Sequence, residues 1–287
     1  MIDDLQPSPT PRRRSVLFMP ASNPRAMAKA RALACDAVIL DLEDAVAPEA
    51  KADAREAALA AAAEGFGARA CAVRINALDT PWGSEDAAAL AGASGVAAVV
   101  LPKVSRAADL VALRDVLGAD GPPIWAMIET CEAIVRLGEI AAAAGASGLA
   151  LLIAGTNDLA KDMRCRPDAA RTPLLPALTQ MVIAARAAGL TVLDGVCNAL
   201  GDDTRLAAEC AQGAMLGFDG KTLIHPGQID AANAAFAPSA EAIAWARQVV
   251  AAFAAPAAAG LGAIRLDGAM VERLHLAEAE RLLALAE

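Results

Sequence analysis

Three carboxylates fall within four residues of this chain, at Asp41, Glu43 and Asp44. They close an apolar run, Ala37-Val38-Ile39-Leu40, whose unbroken Val and Ile content reads as a strand buried on both faces. Like charges this close repel one another, so the cluster needs a cation, solvent or hydrogen bonds to compensate. Taken alone it reads equally as a solvated acidic turn ahead of Pro48. The arrangement recurs, however. Other apolar runs end at Phe18, Arg74, Lys103, Glu129, Asn157 with Asp158, and Asp194, and Asp219, Lys221 and His225 follow the last one.

These residue types suit hard-cation and carboxylate chemistry. Mg²⁺ takes one or two protein carboxylates and fills its shell with water and substrate oxygens. Glu129 and Asp158 are the candidate metal pair, with Mn²⁺ as an alternative ion. Each has a plainer reading: Glu129 as a salt bridge inside the fold, Asp158 as the N-cap of the next helix. Arg74 is the natural clamp for a substrate carboxylate, because its planar guanidinium offers two parallel hydrogen bonds. It could also be a structural partner for Glu43 or Asp44. With two histidines in the chain, His225 and His275, a His-rich zinc site is disfavoured, and no Ser-His-Asp order is evident.

Such residues must be placed by strands. Apolar runs at 15–19, 37–42, 70–75, 96–101, 124–128, 149–153, 191–193 and 214–216 read as eight strands. Amphipathic segments at 24–34, 49–63, 85–91, 107–117, 133–144, 174–188, 202–212, 228–235 and 240–254 read as helices. Asn23 and Pro24 supply an N-cap and a first helical residue for the first of them. Eight alternating units predict an α/β fold, a (β/α)₈ barrel of the TIM type, whose active site lies at the C-terminal strand ends. An open doubly wound sheet is the alternative, but no strand leads into G-x-G-x-x-G. Residues 1–13 read as a flexible arm, 14–255 as the barrel, and 256–287 as a linker and a C-terminal helical lid or oligomerisation arm. Within that tail an extended piece and turn at 264–268 precede a helix expected over 270–287, with Leu274, Leu282 and Leu285 as its apolar marks.

The net charge of −9 argues against nucleic acid as a partner, and an anionic ligand would need a local basic pocket. Six cysteines form no C-x-x-C pair and sit mostly in apolar segments, as reduced core residues of a cytoplasmic protein do. Arg12, Arg13 and Arg14 invite a twin-arginine reading, but the apolar run behind them is cut by Pro20 and is too short. No stretch is long enough to span a membrane.

Several stretches together resemble the citrate lyase β-subunit-like family of CoA-ester lyases, within the HpcH/HpaI aldolase group. They are RSVLFMP at 14–20, ILDLEDAV at 39–46 with Lys51 and Arg55, VRIN at 73–76, LPK at 101–103, IET at 128–130, GTNDL at 155–159 and GKTLIHP at 220–226. DGAMVE at 267–272 resembles the family's C-terminal segment. The resemblance implies Mg²⁺ on Glu129 and Asp158, and a 2-oxo acid carboxylate (glyoxylate, pyruvate or oxaloacetate) on Arg74. It implies cleavage of a 3-hydroxyacyl-CoA, of malyl-CoA or citramalyl-CoA type, to acetyl-CoA and that acid. Phe18 and Asn157 would line the substrate, and Glu43 and Asp44 would serve catalysis by orienting water or the metal's surroundings. Arg25 and Lys29, four apart on one helix face, would meet CoA phosphates, though they read equally as a solvated face. The resemblance further implies a homotrimer or hexamer in which the tail covers a neighbour's site and Glu272 supplies an acid. Two departures stand out: the family's usual Asp is Glu272 here, and a usual Gly is Ala21.

Three other functions compete. A malyl-CoA thioesterase would use the same metal, Arg74 and CoA groove. A citrate lyase β subunit would act on carrier-bound substrate. A free-acid aldolase of the HpcH type would need a catalytic His that the strand ends do not supply.

Overall fold

The computed structural model describes residues 12–286, so all but the last two residues of the expected arm lie outside it. Eight parallel strands close into a barrel in chain order. They are β1 Ser15–Pro20, β2 Ala37–Asp41, β3 Ala70–Arg74, β4 Ala98–Leu101, β5 Ile124–Ile128, β6 Leu149–Ala154, β7 Thr191–Asp194 and β8 Gly220–Leu223. Val16 of β1 lies opposite Thr222 of β8 and completes the circle. This is the expected (β/α)₈ architecture.

Strand parity explains both the apolar runs and the placement of the site. Side chains alternate between the two faces of a strand. Val16, Ile39, Ala72, Val100, Met127 and Ile153 fill the barrel lumen. Their neighbours Leu17, Leu40, Val73, Val99, Ile128 and Leu152 pack outward under the helices. With both faces buried, the runs are continuous rather than alternating. Two residues beyond each lumen-facing side chain, the next one still points inward, now at the C-terminal mouth. That step carries Val16 to Phe18, Ile39 to Asp41, Ala72 to Arg74 and Met127 to Glu129.

The connections largely follow local signals. Asn23 Oδ1 accepts the Ala26 N–H at 3.1 Å and caps the helix Pro24–Ala30. The helices Ala107–Leu117 and Ala240–Ala254 and strand β5 have the expected bounds. Elsewhere the structure corrects the reading. The expected helix over 133–144 is three short ones, Cys131–Val135, Leu137–Ala142 and Ala144–Ser147. A helix at Thr156–Asp162 is missing from the expected segments; it starts ahead of Asp158, which the plainer reading made an N-cap.

The eighth strand is not at 214–216. Those apolar residues are the last turn of the helix Asp203–Leu216, which ends at Gly217 in the left-handed region (φ 97°). The true β8 begins four residues after Leu216 and contains a lysine. Lys221 faces away from the lumen and is fully buried, with Nζ 2.9 Å from Asp194 Oδ2 and 3.4 Å from Glu209 Oε2. Arg171 Nη1 holds the other Asp194 oxygen at 2.7 Å. Asp194 and Lys221 are therefore absent from the mouth. Asp219 precedes β8, at the opposite end of the barrel, where it pairs with Arg186 at 2.7 Å.

The chain divides into two compact units after Phe236, whereas the sequence expectation set the boundary at 255. In the C-terminal unit the helix Ala240–Ala254 shares an apolar core with the final helix Arg273–Ala286 through Val249, Phe253 and Ala279. Between them β9 Ala263–Leu266 and β10 Ala269–Glu272 form an antiparallel hairpin. The expected final helix thus starts at Arg273. Asp267 (φ 49°) and Gly268 (φ 85°) are both left-handed, the geometry a two-residue hairpin demands of an Asp-Gly pair. Leu282 packs into this core, but Leu274 is exposed.

Candidate active site

At the C-terminal ends of the strands the barrel opens into a cavity of about 410 Å³. Phe18, Asp44, Arg74, Glu129, Asn157 and Asp158, six of the residues singled out from sequence, line it. Glu43 joins them through Arg74. Arg25 and Lys29 do not line it; both are exposed on the helix Pro24–Ala30. Glu272 belongs to the C-terminal unit, on β10.

Arg74 is the centre of the polar network. Its Nε and Nη2 each donate to Asp41 at 2.6 Å, a bidentate pair buried at the mouth. Nη1 lies 2.8 Å from Glu43 Oε2 and 3.7 Å from Asp44 Oδ2. The guanidinium stands 5.0 Å above the Phe18 ring. Burial alone would lower its pKa, but the hydrogen bonds and charge of Asp41 outweigh that and keep it ionised. The plainer reading gave Arg74 either Glu43 or Asp44 as a structural partner; the structure shows both contacts and adds Asp41 as the chief partner, while Arg74 still lines the cavity.

Asp41 was visible in the acidic cluster but carried no assigned role. Its parity with Ile39 is the signal that points it inward. Lys103 is the second residue missed. It takes a left-handed backbone (φ 54°) just after β4, strained for a residue with a side chain. There its N–H donates to Glu129 Oε1 at 2.7 Å and its Nζ to Glu43 Oε1 at 2.5 Å. Lys51 secures the loop from behind, donating to the Leu42 and Glu43 carbonyls, each at 2.7 Å.

The donor set fits a divalent cation. Lys103 occupies only Oε1 of Glu129, and no donor among the described residues reaches Oε2. Gly155 opens the space beside it: a Cβ there would collide with Glu129 Oε2. Asp158, in the first turn of Thr156–Asp162 and not its N-cap, adds a second carboxylate on the same cavity. Among the described residues no three His, Cys, Asp or Glu side chains converge into a closed metal cage. Two carboxylates with open positions are what Mg²⁺ uses. The charge balance agrees, since Asp41, Glu43, Asp44, Glu129 and Asp158 outnumber Arg74 and Lys103 at this end of the barrel.

Burial pushes Glu129 up to about 7, with the charges of Glu43 and Asp158 adding to the rise and the Lys103 N–H and Arg74 opposing it. Burial also raises Glu43, against the charges of Arg74 and Lys103. A cation binding Glu129 below pH 7 must therefore displace a proton. Apparent Mg²⁺ affinity is expected to rise by up to about tenfold per pH unit below 7 and to flatten above it. Calorimetry in buffers of different ionisation enthalpy would measure the released proton. An affinity independent of pH between 5.5 and 8 would count against Glu129 as a ligand.

A family model described as HpcH/HpaI aldolase/citrate lyase matches residues 14–226. The chain belongs to this family. It is 46% identical over 277 residues to a (3S)-malyl-CoA thioesterase of Cereibacter sphaeroides (strain KD131), covering 96% of this chain and 94% of the relative. It is 34% identical over 296 residues to citrate lyase subunit beta of Escherichia coli (strain K12), covering 99% and 96%. Among solved structures it is similar to CitE from Mycobacterium tuberculosis in complex with magnesium, acetoacetate and coenzyme A. That likeness has a TM-score of 0.78 at 33% identity and covers 98% of this chain and 100% of the other. Family resemblance and barrel geometry thus agree, and magnesium occurs in a family structure. Among the described residues no helix is long and apolar enough to cross a membrane.

Proposed function

We propose that this chain is a Mg²⁺-dependent carbon–carbon lyase that cleaves a 3-hydroxyacyl-CoA of malyl-CoA or citramalyl-CoA type to acetyl-CoA and a 2-oxo acid. The observation that carries it is the meeting, in one cavity, of the Arg74 guanidinium and the Glu129 and Asp158 carboxylates. This equipment suits the hydroxy-acid end of such a substrate.

Arg74 Nη1 would hold the substrate carboxylate, and Glu129 and Asp158 would hold the ion. When bound, Mg²⁺ supplies Lewis-acid polarisation of the oxygen that becomes the carbonyl. Asp44, whose side chain is 63% exposed while Glu43 is ion-paired, is the freer group to take the hydroxyl proton. The C–C bond then breaks, its electrons pass to the acetyl-CoA enolate, and an acid returns a proton to that carbon. Glu272, on the Asp-Gly hairpin, is our candidate for the acid, supplied to the site of a neighbouring subunit. Arg25 and Lys29 are candidates for the CoA phosphates. A homotrimer or hexamer and a cytoplasmic location complete the proposal; the six cysteines, all free thiols, suit a reducing compartment.

A second reading, hydrolysis of the same thioester, is favoured by the near full-length similarity to a (3S)-malyl-CoA thioesterase. Among the described residues no Ser, Cys or His lines the cavity, so hydrolysis would proceed by attack of water or of a lining carboxylate or Thr hydroxyl. One experiment separates the readings. Wild type and Glu272→Ala are incubated with malyl-CoA, citramalyl-CoA and citryl-CoA plus Mg²⁺, and products are identified by mass. Acetyl-CoA with glyoxylate, pyruvate or oxaloacetate respectively, lost in Glu272→Ala, supports cleavage. Free CoA with the intact hydroxy acid overturns cleavage in favour of hydrolysis.

A further inference from the structure

Glu43 is a buried carboxylate with two unequal contacts. Oε1 receives a 2.5 Å hydrogen bond from Lys103 Nζ. Oε2 lies 2.8 Å from Arg74 Nη1, close enough for charge pairing, yet it is buried and accepts no hydrogen bond. The Arg74 side of the contact is therefore the poorly made one. Nε and Nη2 of Arg74 are committed to Asp41, and Nη1 donates only to Met127 Sδ at 3.7 Å, a weak bond that a ligand carboxylate could replace.

We propose that Glu43 is an internal anion standing in the substrate carboxylate's place on Arg74 Nη1, and that Lys103 is the positioning residue that draws it aside. The inference rests on Arg74 being the carboxylate clamp. A substrate carboxylate arriving at Nη1 would meet Glu43 Oε2 as a like charge, so entry requires Glu43 to give up that contact. Lys103 already holds the opposite oxygen. Its side chain is 46% exposed and so has room to follow Glu43. Its main chain is anchored on both sides: the N–H on Glu129 Oε1, and the carbonyl accepting Ser105 Oγ at 3.2 Å. Lys103 thus pulls from a fixed origin beside the metal carboxylate.

The test is a double-mutant cycle read by binding, not turnover. Pyruvate binding at saturating Mg²⁺ and Mg²⁺ binding alone are measured by calorimetry on wild type, Lys103→Met, Glu43→Gln and the double variant. Without Lys103, Glu43 has only Arg74 to pair with and competes harder. Lys103→Met is therefore expected to weaken pyruvate binding by about tenfold, the size of a typical coupling between contacting charges. Its Mg²⁺ affinity should stay near the wild-type value, since the main-chain N–H remains. Glu43→Gln removes the competitor and should tighten pyruvate binding. In the Glu43→Gln background, losing Lys103 should then cost little, and Lys103→Arg should behave as wild type. Equal losses from Lys103→Met in both backgrounds would overturn the proposal, as would a loss confined to Mg²⁺ affinity. A wild type that binds Mg²⁺ and turns over an acyl-CoA but binds no 2-oxo acid would overturn the Arg74 clamp itself, and this inference with it.

Discussion

Replacing Glu129 by Gln is expected to abolish Mg²⁺-dependent turnover while raising, not lowering, the melting temperature. Glu129 is 2% exposed, and burial gives its ionised form a desolvation cost that the Lys103 N–H and the charge of Arg74 do not fully offset. Gln has the same shape, and its Oε1 can still accept the Lys103 N–H. The substitution removes the hard anionic oxygen at Oε2 and the buried charge together. Activity should fall by about a thousandfold or more, the scale of losing a group that stabilises charge in the transition state. Asp158→Asn should cost activity comparably but leave stability nearly unchanged, because Asp158 is only partly buried. Steady-state kinetics against a Mg²⁺ titration and a thermal melt suffice. Substantial activity of Glu129→Gln in EDTA would end the metal assignment, and a lowered melting point would mean the buried carboxylate is structural.

Arg74→Lys should be costly in both activity and stability. A lysine keeps one positive charge but cannot grip Asp41 through two parallel bonds and reach the cavity with a third nitrogen. Asp41 and Glu43, both buried, would be left with at most one ammonium between them and Lys103. Breaking one partner out of such a buried pair costs on the order of 3 kcal/mol. The efficiency of the condensation direction should fall by about a thousandfold, through both KM and kcat, since carboxylate position governs alignment for bond formation. A folded Arg74→Lys protein with wild-type kinetics would place the clamp elsewhere. A variant merely less stable, with unchanged kinetics at low temperature, would make Arg74 a scaffold residue.

Much of this site was legible in the sequence because parallel strands buried on both faces announce themselves. A run such as Ala37-Val38-Ile39-Leu40 fixes where a strand stops, and the residue that follows it is at the mouth. That logic placed Phe18, Arg74 and Glu129 correctly. It failed at β8, whose four residues Gly220–Leu223 include a charged one, while the nearby apolar 214–216 is helical. Buried ionic packing reverses the usual polarity signal there, so the hydrophobic pattern pointed to the wrong segment. The hairpin was half legible: the Asp267-Gly268 turn was marked, but Ala269–Glu272 merged into the helical pattern behind it. Lys103 was noted at a strand end, yet its left-handed backbone and its two carboxylate partners depend on loops distant in sequence. Asp41 was obscured by its neighbours, since adjacency in sequence says nothing about which of three acids turns toward the same arginine.

The ionic contacts behind β8 bear on how the ring of strands selects its own closure. In a strand, a shift of one residue exchanges the two faces. Sliding β8 by one position would turn Lys221 into the lumen among Leu193 and Ile153 and would take its contact away from Asp194 and Glu209, leaving them to Arg171 and Arg205. An oily strand would forgive that slip, because one aliphatic side chain replaces another. Here the penalty is an ammonium without a partner in a dry, apolar lumen. The last seam is thus proofread by charge, and Lys221 works as the key that admits a single alignment of the final strand, one that keeps Thr222 and Ile224 on the cavity wall.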